Sequence, residues 1–173
     1  MRNSKSTGLE TSKEVLISDS RGKELNRARN AAYRLLTFRA RSHAELEQKL
    51  REREFDESVI GEVLADLERL GYVNDRQFAG QWAAARLRLK GLGRRRIEKE
   101  LRRKGIRHEV IREAIAEAVS PEEEWDAAVK AAEKKLKTML SVEPNVRIRR
   151  LAGFLERKGF SAEITRSIIH KAR

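Results

Sequence analysis

One apolar skeleton recurs three times along the chain: Leu46, Leu50, Phe55, Val59 and Val63; then Ile97, Leu101, Ile106, Val110 and Ala114; then Leu151, Leu155, Phe160, Ile164 and Ile168. Successive members of each set are separated by 4, 5, 4 and 4 residues. Gaps of four put two side chains on one face of a helix, so each set predicts a helix, a turn at the gap of five, and a second helix. Self-similarity at a fixed period points to a tandem array rather than a single globular core. These core positions recur after 51 and then 54 residues, the extra length falling around Ser141 to Asn145.

A further amphipathic helix precedes each pair. Its apolar positions are Ala31, Ala32, Leu35, Leu36 and Phe38 within about 27–40; Phe78, Ala79, Trp82, Ala85 and Leu89 within 75–90; and Trp125, Ala128, Val129, Ala132, Leu136, Met139 and Leu140 within 121–140. The unit is therefore three helices, with repeats expected over 25–73, 74–119 and 120–173 after a disordered leader, 1–24. The fold expected is all-α, an elongated tandem array of three three-helix repeats with mobile junctions.

The turn chemistry is explicit. Lys104-Gly105-Ile106 and Lys158-Gly159-Phe160 place glycine where a left-handed C-cap is wanted, with an apolar residue beyond. The first copy carries Glu54 there, which predicts a tighter or strained turn. Ser42-His43-Ala44-Glu45 fits a capping box, and Asp56 and Ser161 are placed to cap the helices that come after them. Arg107 occupies that place in the middle copy and cannot cap in that way. Ser120-Pro121-Glu122-Glu123 opens the third repeat with a cap, a proline at the first helical position and acids at the helix's positive end.

Charge adds what periodicity cannot. With 39 Lys and Arg against 27 Asp and Glu, the formal net charge is +12, which points to a polyanion or an acidic protein surface as partner. The excess is concentrated. Arg86, Arg88, Lys90, Arg94, Arg95, Arg96, Lys99, Arg102, Arg103 and Lys104 face only Glu98 and Glu100, giving +8 within nineteen residues. Arg147, Arg149 and Arg150, with Arg157 and Lys158, occupy the equivalent helix of the third repeat, whereas that of the first is rich in glutamate. Solvated helix faces are often this charged. Arg94-Arg95-Arg96, however, stands at a helix start, where cations oppose the macrodipole, and amides there could receive a phosphate or carboxylate. A residue choice that costs stability suggests another use.

Other chemistry is excluded on composition and spacing. There is no cysteine, which suits a reducing cytoplasm, and no stretch has the length and apolarity of a membrane span. His43, His108 and His170 fall in three different repeats without companion ligands, so no metal and no cofactor are expected. Gly91-Leu92-Gly93 lacks the context of a phosphate loop or dinucleotide fingerprint. Phe55, Phe78, Trp82, Trp125 and Phe160 sit at core positions, while Tyr33 and Tyr72 are read as core with a surface hydroxyl, base stacking being the alternative. No catalytic constellation can be assembled, so the chain is not read as an enzyme.

Arg41-Ser42-His43-Ala44-Glu45-Leu46 with Lys49-Leu50, then Leu67, Leu70-Gly71-Tyr72-Val73-Asn74-Asp75, Phe78-Ala79, Arg86, Lys90-Gly91, Ile97, Glu100-Leu101 and Lys104-Gly105-Ile106, occur in an order and spacing that resembles the RecX family. The match is close over about 30–118 and follows pattern more than identity beyond it. Glu54, where the family's turn usually carries glycine, and the leader depart from it.

The resemblance implies a small helical protein without an active site that binds RecA filaments on DNA and inhibits strand exchange, ATP hydrolysis and coprotease activity, thereby modulating DNA repair and the SOS response. The basic stretches of the second and third repeats would then form the surface that meets RecA or DNA phosphates, and reversing Arg94, Arg95 and Arg96 to glutamate should abolish inhibition. A cytoplasmic monomer is expected. The alternative is a general DNA-binding protein using the helix pairs as helix-turn-helix readers. Against it, the turn recurs three times with different exposed residues, whereas a reader usually presents one recognition helix.

Overall fold

The structure, a computed structural model, describes residues 7–172, with side chains from Ser20 onward. Among the described residues there are nine helices and no strand: α1 (Thr7–Phe38), α2 (His43–Arg51), α3 (Glu57–Arg69), α4 (Asp75–Lys90), α5 (Arg94–Arg103), α6 (His108–Ala118), α7 (Pro121–Lys137), α8 (Pro144–Lys158) and α9 (Ala162–Lys171). The three-helix repeat thus holds three times over. The leader expected to be disordered is helical from Thr7, its first six residues lying outside the described residues. Good helix formers such as Glu10, Lys13, Glu14, Lys23 and Glu24 run through it without a proline. Its last turns are also tied to α3 and to the cap that starts it. Arg21 pairs with Glu62 at 3.3 Å, and a Glu24 carboxylate oxygen accepts the Asp56 backbone N–H at 3.1 Å.

The chain divides into two compact units, one ending at Asn74 and the other beginning at Asp75. In the first, Ala28, Ala32 and Leu35 of α1 close over Leu46 and Leu50 of α2 and Val59, Ile60, Val63, Leu64 and Leu67 of α3. The second unit holds two cores. One gathers Phe78, Ala79, Ala83 and Leu87 with Ile97, Leu101, Ile106, Ile111, Ala114 and Ile115; the other gathers Ala128, Ala132 and Met139 with Leu151, Leu155, Phe160 and Ile168. Most of the repeated skeleton is buried, as its spacing requires. Phe55, Val110 and Ile164 are half-buried at the edges of their cores, as are Trp82 and Trp125. Phe38, Tyr72, Ala85, Leu89 and Leu140, read as core or core-facing, stand in solvent.

Caps follow the sequence closely. Ser42 with Glu45 and Ser120 with Glu123 form capping boxes, Asp56 accepts from the Ser58 N–H and Ser161 from the Ile164 N–H, and Arg107 caps nothing with its side chain. Glu143 adds a cap the pattern did not show: its carboxylate accepts from the Asn145 and Val146 N–H groups, starting α8 at Pro144. The Asp56, Glu123 and Glu143 carboxyls titrate below their ordinary range. The main causes are hydrogen bonds from the Ser58 side chain, the Arg88 side chain and the Asn145 backbone respectively. A carboxyl depressed in the folded state stabilises it above the unfolded value, near 4, and ceases to do so as pH falls through the folded value. Thermal melts between pH 7 and pH 2 are therefore expected to shift downward only on the acid side of about pH 4.

The three turns at the gap of five each hold one residue in the left-handed region. Gly105 and Gly159 take φ of +76° and +91°, and the Ile106 and Phe160 N–H groups reach back to the Leu101 and Leu155 carbonyls. Glu54 takes φ of +61°, so the first turn also holds a left-handed residue, here strained because it carries a Cβ; the Arg53 and Glu54 N–H groups donate to the Leu50 and Arg51 carbonyls. Exchange to glycine removes that strain but widens the range of unfolded conformations. E54G is expected to gain up to about 1 kcal/mol, read as a raised urea midpoint at unchanged slope.

Candidate functional site

The basic stretch of the second repeat separates into two kinds of cation. Arg86 and Lys104 belong to the first kind. Their charges lie 4.0 and 4.1 Å from the Trp82 ring centroid, and Phe78 stacks on the same indole at 5.8 Å. The Trp82 indole N–H and the Arg86 Nε–H both donate to Glu100 Oε2, at 3.1 and 2.9 Å. Arg88 pairs with Glu123 at 2.8 Å, and Arg102 pairs with Glu98. These side chains hold α4, α5 and α7 in register before any partner is considered.

Arg94 explains why a helix can begin with three cations. Its guanidinium stands 3.0 Å from Glu124 Oε2, a buried carboxylate of α7, while its backbone N–H donates to Glu124 Oε1 at 2.9 Å. A further guanidinium N–H donates to the Val119 carbonyl. The Gly93 and Arg95 N–H groups donate to the carbonyls of Lys158 and Gly159, at 2.9 and 3.1 Å. The negative end of α8 therefore meets the positive end of α5, and Glu124 supplies the acid missing from the start of α5. The anion that these amides could receive is the protein's own. A reversal that includes Arg94 disturbs folding as well as any surface. Arg94→Ala is expected to cost about 2 kcal/mol, because it strands the buried Glu124 carboxylate, against about 0.5 kcal/mol or less for Lys99→Ala; urea unfolding separates the two.

The second kind of cation is left over. Arg95, Lys99 and Arg103 recur every fourth residue along one face of α5, are exposed, and pair with no carboxylate among the described residues. Arg96 is exposed beside them, with Glu100 at 3.7 Å, and Lys90 stands exposed at the end of α4. On α8, Arg149 and Arg150 are exposed in the same way. Arg147 is half-buried, its Nε enclosed without a hydrogen-bond partner.

A cleft of about 450 Å³ opens between α4 and α7, its lining including Arg88, Lys90, Lys130, Lys134 and Lys158 with Glu123 and Asp126. Lys158 is committed here: its ammonium donates to the Lys90 carbonyl at 2.7 Å, and burial, with Lys134 nearby, pushes its pKa below the ordinary lysine value. Among the described residues no group of His, Asp and Glu is arranged to hold a metal, and no helix is long and apolar enough to cross a membrane. Sequence reasoning found the cations of α4, α5 and α8 but not their division, and it missed Lys130 and Lys134 of α7. Only the acids that meet them from other helices, Glu100, Glu123 and Glu124, reveal it.

Comparison with known proteins matches the three repeats. Models of the first, second and third three-helix domains of RecX match residues 28–67, 74–115 and 122–169. The regulatory protein RecX of Amycolatopsis mediterranei is 38% identical over 143 residues, covering 83% of this chain and 81% of that protein. The regulatory protein RecX of Streptomyces coelicolor is 35% identical over 148 residues, covering 86% and 78%. The crystal structure of RecX from Lactobacillus salivarius superposes with a TM-score of 0.81 at 24% identity, over 87% of this chain and 97% of that one, which speaks for the fold.

Proposed function

Because this chain belongs to the RecX family of regulatory proteins, we propose that it binds RecA filaments assembled on DNA and inhibits their recombinase and coprotease activity, acting in the cytoplasm as a monomer to modulate DNA repair and the SOS response. The observation that carries the reading is the run of cations with no internal role, Arg95, Lys99 and Arg103, on a helix whose other cations are all engaged or half-engaged. Exposed like charges in a row repel one another, so a partner that neutralises them removes a cost the free protein carries. Arg149 and Arg150 extend the same chemistry to the third repeat.

DNA phosphates and acidic protein surfaces both satisfy cations, and salt tells them apart. Binding through phosphates alone weakens steeply as salt rises, because it releases condensed counterions. Titrations against RecA filaments, bare single-stranded DNA and duplex DNA at two salt concentrations therefore test the proposal. Tight binding confined to filaments and retained at the higher salt is expected. Equal affinity for bare DNA would make the chain a general DNA-binding protein instead.

A further inference from the structure

Each repeat leaves one large apolar side chain in solvent near the end of its first helix. Phe38 is 85% exposed, Leu89 79% and Leu140 79%. Phe38 ends α1, Leu89 lies one residue before the end of α4, and Leu140 stands in the turn after α7. They succeed one another at intervals of 51 residues. Measured from the buried alanines Ala32 and Ala83, Phe38 and Leu89 hold the same place, six residues on; Leu140 is eight beyond Ala132, in the longer turn of the third repeat.

A lone exposed leucine needs no explanation, since much of any protein surface is apolar. Recurrence at one place in the first two repeats, and just beyond the end of the corresponding helix in the third, does. Leu70 and Tyr72, also exposed, have no such recurrence: 51 residues on stand Pro121 and Glu123, and the Tyr72 ring already packs edge-on against Tyr33 at 5.3 Å. The surroundings recur as well. Exposed cations lie near each side chain along the chain: Arg34 and Arg39, the latter paired with Glu45, about Phe38; Arg88, paired with Glu123, and Lys90 about Leu89; and Lys137 three residues before Leu140. An apolar tip among cations is complementary to an apolar depression edged by carboxylates, and a tip repeated in each repeat suits a partner whose depressions repeat too.

We propose that Phe38, Leu89 and Leu140 are anchors, one per repeat, that seat in equivalent acid-edged apolar depressions on the subunits of the recombinase filament. This rests on the filament reading above and adds to it a contact that charge alone does not supply. Each anchor removed should weaken binding about tenfold, as for well-buried interface side chains, and the losses compound because the remaining anchors hold the chain in place.

The test uses the full chain with F38S, L89S and L140S, singly and combined, and the conservative set F38L, L89M and L140M, each compared by thermal melting and by anisotropy titration against RecA filaments on single-stranded DNA. Melting is expected to be unchanged, because the side chains are already in solvent. The serine variants should lose about tenfold each and at least about a hundredfold together, at unchanged salt dependence, with the conservative set binding as wild type. Wild-type affinity in the combined serine variant overturns the anchors and leaves the filament reading standing; failure of the wild-type chain to bind filaments overturns both.

Discussion

Gly93→Ala is expected to unfold the seam between the second and third repeats while leaving the first repeat intact. A Cβ at Gly93 would stand 2.5 Å from the Gly159 carbonyl carbon and oxygen and from the Phe160 nitrogen, and a Cβ at Gly159 would stand 2.3 Å from the Arg96 nitrogen. Both obstacles are backbone, so no rotamer change relieves them. The repeats must part, and with them go the Gly93 and Arg95 hydrogen bonds to the end of α8 and the seat of Arg94 on Glu124. The expected cost is about 3 kcal/mol or more, a fall in melting temperature of roughly 10 °C. Hydrogen exchange identifies the locus: the Gly93, Arg94 and Arg95 amides should lose protection, whereas α2 and α3 should keep theirs. Gly159→Ala should behave in the same way, with added strain at its φ of +91°.

The triple reversal R95E/K99E/R103E is expected to do the opposite. The three side chains are exposed and unpaired, so melting should stay within a few degrees of wild type; an acid at 95 favours the dipole of α5 and one at 103 opposes it, and the two effects offset. Binding to RecA filaments should fall by about 100-fold or more, since three attractive contacts become repulsive. The pair of variants distinguishes the two kinds of cation. Arg94→Ala should melt early and, where folded, still bind; the triple reversal should melt normally and fail to bind.

How much of this the sequence discloses depends on whether a feature is local. The apolar skeleton, the capping boxes at Ser42 and Ser120 and the left-handed glycines at 105 and 159 are each written within a few residues, and the structure reproduces them. The same holds for the missing cap at Arg107. Gly93 is different. In sequence it is one glycine in a Gly-Leu-Gly loop; its reason is a second loop at Gly159, which local patterns cannot see. The same limit applies to the charges. Arg94 and Arg95 are adjacent and chemically identical, yet one faces Glu124 of a helix thirty residues away and the other faces water. Phe38, Leu89 and Leu140 fit the helical spacing, but Phe38 and Leu89 stand exposed at the ends of α1 and α4 and Leu140 in the turn after α7.

The most direct measurement is the rate of ATP hydrolysis by RecA assembled on single-stranded DNA while the wild-type chain is titrated in at physiological salt. Progressive inhibition by the wild-type chain, absent with R95E/K99E/R103E at the same concentrations, is the result predicted. A rate that stays constant through the wild-type titration, or that the triple reversal suppresses equally well, would contradict a filament regulator acting through the unpaired cations of α5.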